Sequence, residues 1–117
     1  FIPGGNRSQF GNEDIENMKI SATHVQGIFG VTLDDLCDKW GFPYPNYMKI
    51  DVDGIEISIL SGAHAVLRHP ALKSVIIELG TTAEQEKAID LMRSAGLEVK
   101  HRSTQNWGET CLIFQRI

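Results

Sequence analysis

Apolar positions at helical spacing first appear at Leu33, Leu36, Cys37 and Trp40. Thr32 ahead of them is a natural N-cap, and Asp35 stands three residues on, where a capping box places its acid. Gly41 supplies a stop, so this stretch predicts a helix. Pro43 and Pro45 hold the next residues extended. Tyr47–Val52 then reads as a strand, closed by Asp53-Gly54. A second helix is predicted from about Ile55 to His69, with Ile55, Ile59, Ala63, Val66 and Leu67 on one face and Pro70 behind it. Ser74–Leu79 is an apolar run with β-branched residues, the pattern of a strand buried on both faces. After Gly80, Thr82 and Gln85 form a second capping pair. The helix they open runs to Ala95 with Gly96 as its stop. Leu97–Arg102 and Thr110–Arg116 alternate as strands do, and the short Ser103–Glu109 loop joins them as an antiparallel hairpin.

From Tyr47 the order is strand, helix, strand, helix, strand, strand. Strands alternating with helices imply parallel pairing through crossovers. The predicted class is α/β: a three-layer sandwich of parallel strands with a C-terminal antiparallel hairpin. Residues 1–30 read as a linker or irregular segment ahead of an α/β core at 31–117. Gly4-Gly5-Asn6 and Gly11-Asn12 are turn signals, while Met18-Lys19-Ile20 and His24–Phe29 are each compatible with a short strand.

Composition narrows the function classes. The chain has 117 residues, 42% hydrophobic and 22% charged, one ordinary globular domain's worth. Eleven basic and fifteen acidic residues give a net charge of -4. The cations are scattered rather than gathered on one element, which argues against a nucleic-acid surface. No apolar run approaches the ~18 residues of a membrane span. Cys37 and Cys111 lie far apart and outside any CxxC, so they read as reduced thiols of a cytoplasmic protein. The histidines show no metal-ligand spacing. Trp40, Trp107, Tyr44 and Tyr47 read as core or rim residues.

Chemistry is expected at the carboxyl ends of the strands. Asp51 and Asp53 close the first strand and Glu78 the next. Parallel neighbours lie roughly 5 Å apart, so Asp51 and Glu78 can share a crevice, with Glu56 on the opening helical turn. Such carboxylates can bind a divalent cation or act as a general base. Asp53 and Glu56 also stand at N-cap and N3 spacing, which is enough reason for both to exist. Lys49 is an acid's partner or an edge residue. Asp51 is less easily assigned to structure, since a carboxylate closing a buried strand is costly.

The segments Val31-Thr32-Leu33-Asp34-Asp35-Leu36, Met48-Lys49-Ile50-Asp51-Val52-Asp53-Gly54-Ile55-Glu56, Ile59-Leu60-Ser61-Gly62-Ala63 and Val75-Ile76-Ile77-Glu78-Leu79 together resemble the FkbM-type methyltransferases. Asp53 stands where that family often has Glu. The resemblance is strongest over residues 31–80, and the later strand, helix and hairpin fit the tail of a methyltransferase sheet. It implies S-adenosylmethionine as cofactor, a Rossmann-like sheet, and methylation of a hydroxyl on a small molecule or sugar. By analogy Asp51 and Glu56 are the catalytic candidates, and Asp53, Glu78 and Lys49 the acceptor-binding ones. No cofactor-binding residue is assigned, because Gly4-Gly5 follows no predicted strand. A chain opening on Phe1 without that glycine loop is therefore expected to be the acceptor-side, C-terminal half of a methyltransferase domain. Alone it is expected to be inactive and prone to self-association through the edge of the Tyr47–Val52 strand.

Two other readings compete. Asp51-Val52-Asp53-Gly54 fits the DxDG nucleophile motif of haloacid-dehalogenase-like phosphohydrolases, which use Mg²⁺. Their later GDxxxD metal motif is absent. A non-catalytic α/β interaction module, with the acids only capping and pairing, is the third reading.

Overall fold

The computed structural model describes residues 25–117. The turns and the strand read before His24, and His24 itself, lie outside the described residues. Residues 25–32 are irregular, so the strand read at His24–Phe29 does not form over its described part. The elements are α1 (Leu33–Asp38), β1 (Tyr47–Ile50), α2 (Glu56–Ser61), α3 (His64–Arg68), β2 (Ser74–Leu79), α4 (Thr82–Ser94), β3 (Leu97–Thr104) and β4 (Thr110–Arg116).

The four strands form one mixed sheet in the order β1-β2-β4-β3. β1 and β2 are parallel, while β4 runs antiparallel to both β2 and β3. The α/β class and the terminal hairpin are as predicted. The hairpin's second strand lies inside the sheet, against β2, and the first forms the edge.

Cross-strand partners share a face. One face carries Ile50, Val75, Ile77, Leu79, Leu112, Phe114 and Leu97, all buried. Helix residues Leu60, Val66, Leu67, Ala88 and Met92 are buried in the same core. The other face carries Lys49, Ile76, Glu78, Cys111, Ile113 and His101, none of them buried. β2 therefore alternates between half-buried and buried positions instead of being buried on both faces. Two layers, helices and sheet, are what the described residues display.

The predicted Ile55–His69 helix is two short helices, broken at Gly62-Ala63. The break is where α1 docks. Asp34 donates its N–H to the Gly62 carbonyl at 3.1 Å. Its carboxylate accepts from the N–H groups of Ala65 and Val66, both at 2.9 Å. Asp34 is thus the cap that α3 otherwise lacks, supplied from another element. Gly62 packs closely here, since a Cβ on it would lie 3.1 Å from Thr32 Cγ2. Thr32 caps α1 as predicted, accepting from Asp35 N–H at 3.1 Å, while Asp35 pairs with Lys39 at 3.3 Å.

The second capping box is real but one residue earlier than read: Thr81 and Glu84 form it, not Thr82 and Gln85. Glu at N3 makes the reciprocal bond, and that choice selects the first threonine of the pair. At the far end, the Arg116 guanidinium donates to the carbonyls of Leu67, His69, Leu72 and Ala95. A cation there satisfies orphan carbonyls where α3 and α4 end. Tyr44 stacks on His69 with ring centroids 3.8 Å apart, but Trp40, Tyr47 and Trp107 are exposed and belong to the rim.

Candidate functional site

β1 and β2 run side by side, and β2 continues past the last pair, Ile50 with Ile77, so Glu78 lies beside the residues that follow β1. β1 is shorter than predicted, stopping at Ile50. Asp51 is the first residue past it, and its side chain is 51% exposed. The desolvation cost that a buried strand-end carboxylate would carry is therefore not incurred here. Lys49, two residues back and on the same face, reaches Asp51 with Nζ 3.5 Å from Oδ2. Exposed pairs of this kind contribute little to stability, so the pair orients more than it stabilises.

Glu78 lies on the same open face, in the neighbouring strand. Burial beside the sheet pushes its carboxyl above the ordinary value of 4.5, and the Asp51 carboxylate next to it pushes the same way. Two acids this close resist ionising together, so Glu78 holds its proton more tightly than a free carboxyl does. Cys111 is opposite Glu78 in the β2–β4 register. Burial and the Glu78 charge push its thiol above 9.0, so it remains a neutral thiol and a poor nucleophile.

Two candidate residues lie outside the Asp51–Glu78 pair. Asp53 does not cap α2: the N-cap is Ile55, with no side-chain bond, and Asp53 is exposed in the turn. Glu56 is not at N3 but is the first residue of α2, and it is buried at 6% exposure. It takes part in the helix-side packing instead of lining the Asp51–Glu78 crevice. Its carboxyl accepts from the Gly54 N–H at 3.4 Å, across the turn. Burial raises its pKa above 4.5, opposed by the backbone N–H groups of Glu56 and Gly54, and the Glu84 and Asp53 charges raise it further. The turn needs a left-handed residue, and Gly54, at φ 98°, provides it.

An open groove of about 520 Å³ runs along β1, with Leu33, Met48 and Ile59 giving it an apolar wall and Lys49, Asp51 and Val52 closing it. Among the described residues, no group of three His, Cys, Asp or Glu side chains is arranged to hold a metal ion. Neither the divalent cation allowed for by the sequence nor the Mg²⁺ of the phosphohydrolase reading has a three-ligand set among the described residues. No helix among the described residues is long and apolar enough to cross a membrane.

The methyltransferase FkbM domain matches residues 5–102. The chain belongs to the FkbM methyltransferase family. The match takes in every segment that carried the resemblance, and it also begins well before residue 31, inside the stretch read as linker. No curated protein and no solved structure matches the chain significantly. Family membership leaves the phosphohydrolase reading of Asp51-Val52-Asp53-Gly54 without support.

Sequence reasoning missed three residues here. Asp34 was legible only as a helix residue, because its partners Ala65 and Val66 are remote in the chain. Cys111 comes to the site because β4 inserts beside β2, and the charge of Glu109, just ahead of β4, raises the Glu78 pKa further. Alternation in Thr110–Arg116 identifies the strand, but not that neighbour.

Proposed function

We propose that the chain is the acceptor-side part of an S-adenosylmethionine-dependent O-methyltransferase, acting on a hydroxyl of a small molecule or a sugar. The cofactor supplies an electrophilic methyl group. The chain's own acids deal with the acceptor's proton: Asp51 takes it from the hydroxyl, with Glu78 beside it as a proton-holding partner. Lys49 orients Asp51 through their ion pair, and Asp53 stands exposed at the same strand end to contact the acceptor. The observation that carries this reading is the Asp51–Glu78 pair on the open face, within a chain of a methyltransferase family.

The cofactor itself has no cradle among the described residues. Gly54 and Gly80 are single glycines, not a glycine-rich loop leading from strand to helix. The proposal therefore includes further strands along the outer edge of β1, which pairs only with β2 among the described residues. Left uncovered, that edge invites self-association. Two unbridged cysteines, Cys37 and Cys111, support a cytoplasmic setting within the same proposal.

Transfer of label from methyl-labelled S-adenosylmethionine to a panel of sugars and other hydroxyl compounds tests the activity in the complete protein. Asp51→Asn is expected to lower the rate about 10²–10⁴-fold, the usual contribution of a general base. Label transfer that is unaffected by Asp51→Asn overturns the assignment. Titration calorimetry tests the cofactor part: micromolar binding of S-adenosylmethionine by the 117-residue chain alone contradicts it.

A further inference from the structure

Between β1 and α2 the backbone turns sharply through Asp51-Val52-Asp53-Gly54. Two things about that turn are unusual. Its helix begins at Glu56, behind an N-cap residue, Ile55, that supplies no side-chain bond, although four N–H groups at a helix start need partners. Immediately inside it, a glutamate is 6% exposed, where carboxylates are seldom placed without a purpose. The buried carboxyl has a hydrogen-bond partner in the turn. The Glu56 side chain folds back over the start of its own helix and accepts the Gly54 N–H at 3.4 Å. It thereby spans the turn from the helix side to the last residue before Ile55. Gly54, held at φ 98°, is the turn's most permissive residue and the one whose freedom most needs restraint.

We infer that Glu56 is a positioning residue: its carboxyl latches the Gly54 N–H and so fixes the turn that sets Asp51 beside Glu78. The inference rests on the reading of Asp51 and Glu78 as the working pair. It moves Glu56 out of the reaction itself. Glu56 lies on the packed side of the sheet and Glu78 on the open side, so Glu56 reaches the pair only through the backbone.

Two substitutions of similar volume separate the roles in the full chain. Glu56→Gln keeps an acceptor oxygen for the Gly54 N–H, whereas Glu56→Met removes it without leaving a cavity. Hydrogen exchange at the Gly54 amide and carboxyl-detected NMR titration of Glu78 are the readouts. With Glu56→Met the Gly54 amide is expected to exchange about fivefold faster, the loss of one hydrogen bond. The Glu78 titration is expected to move toward its ordinary value as Asp51 drifts. With Glu56→Gln both readouts stay at wild type. A Glu78 titration unmoved by Glu56→Met overturns the inference, as does a Glu56→Gln variant that behaves like Glu56→Met. Neither readout involves methyl transfer, so an intact latch in a protein without methyltransferase activity would defeat the functional reading alone.

Discussion

The two faces of the sheet are built from the same strands but do different work. On the helix side, Val75, Ile77, Leu112 and Phe114 are completely buried, and alternate residues of β2 and β4 supply them. The residues between them, Ile76, Glu78, Cys111 and Ile113, stay half-buried on the other side. Only that second face can keep two carboxyls close together with access to solvent. Placed among the helices, the same pair would be desolvated beyond what one lysine offsets. The difference teaches that stability and chemistry are divided by strand alternation, one residue apart.

The largest test of that division replaces neighbours in one strand. Phe114→Ala is expected to cost about 3–5 kcal/mol in urea unfolding, the usual loss for a buried aromatic. Ile113→Ala, one residue away on the open face, is expected to cost less than about 2 kcal/mol. Equal losses would mean that the open face is a second packed core.

Interlocking of the motif segments is the next test. Asp34→Ala removes the acceptor for two helix-start N–H groups and is expected to cost about 1–2 kcal/mol. Asp34→Asn, with one acceptor oxygen left, is expected to lose about half of that. Gly62→Ala presses a methyl against Thr32 at a backbone φ of -84° that is free of strain. Its cost, about 1 kcal/mol, is expected to shrink when Thr32→Ser removes the methyl it meets and keeps the cap. Denaturant midpoints check both.

The smallest expected effect lies in the pH dependence of stability. Glu78 and Glu56 both have folded-state pKa values above the ordinary 4.5. A raised folded pKa means that the native state holds the proton more tightly. That contribution is fully present below about pH 4.5 and is lost as the pH rises through the raised values. Glu78→Gln is expected to flatten part of this loss and leave the part due to Glu56. A slope unchanged in Glu78→Gln would show that the open-face pair carries none of it.

Much of this was legible in the chain. Ser74–Leu79, Thr110–Arg116 and the α1 cap at Thr32 follow directly from period and punctuation, because each depends on residues within a few positions. The family resemblance was likewise carried by contiguous segments. One difference arises where a distant element decides, the others from local choices that spacing alone does not rank. Ile55–His69 has an unbroken helical stripe, yet Asp34 from α1 caps a new helix after Gly62. Thr81 rather than Thr82 caps α4 because Glu84 can reach back to it. Glu56 looks like a neighbour of Asp51 by spacing, but it is buried at the start of α2 with its carboxyl on the Gly54 N–H. The assignment of faces needed the strand order, which alternation alone does not contain.

A carboxyl NMR titration of Glu78 in the wild type and in Asp51→Asn measures whether the two carboxyls on the open face act on each other. The wild-type midpoint is expected above 4.5 and to move part of the way back when the Asp51 charge is removed, the remainder being held up by burial. A Glu78 curve identical in the two proteins would contradict this expectation.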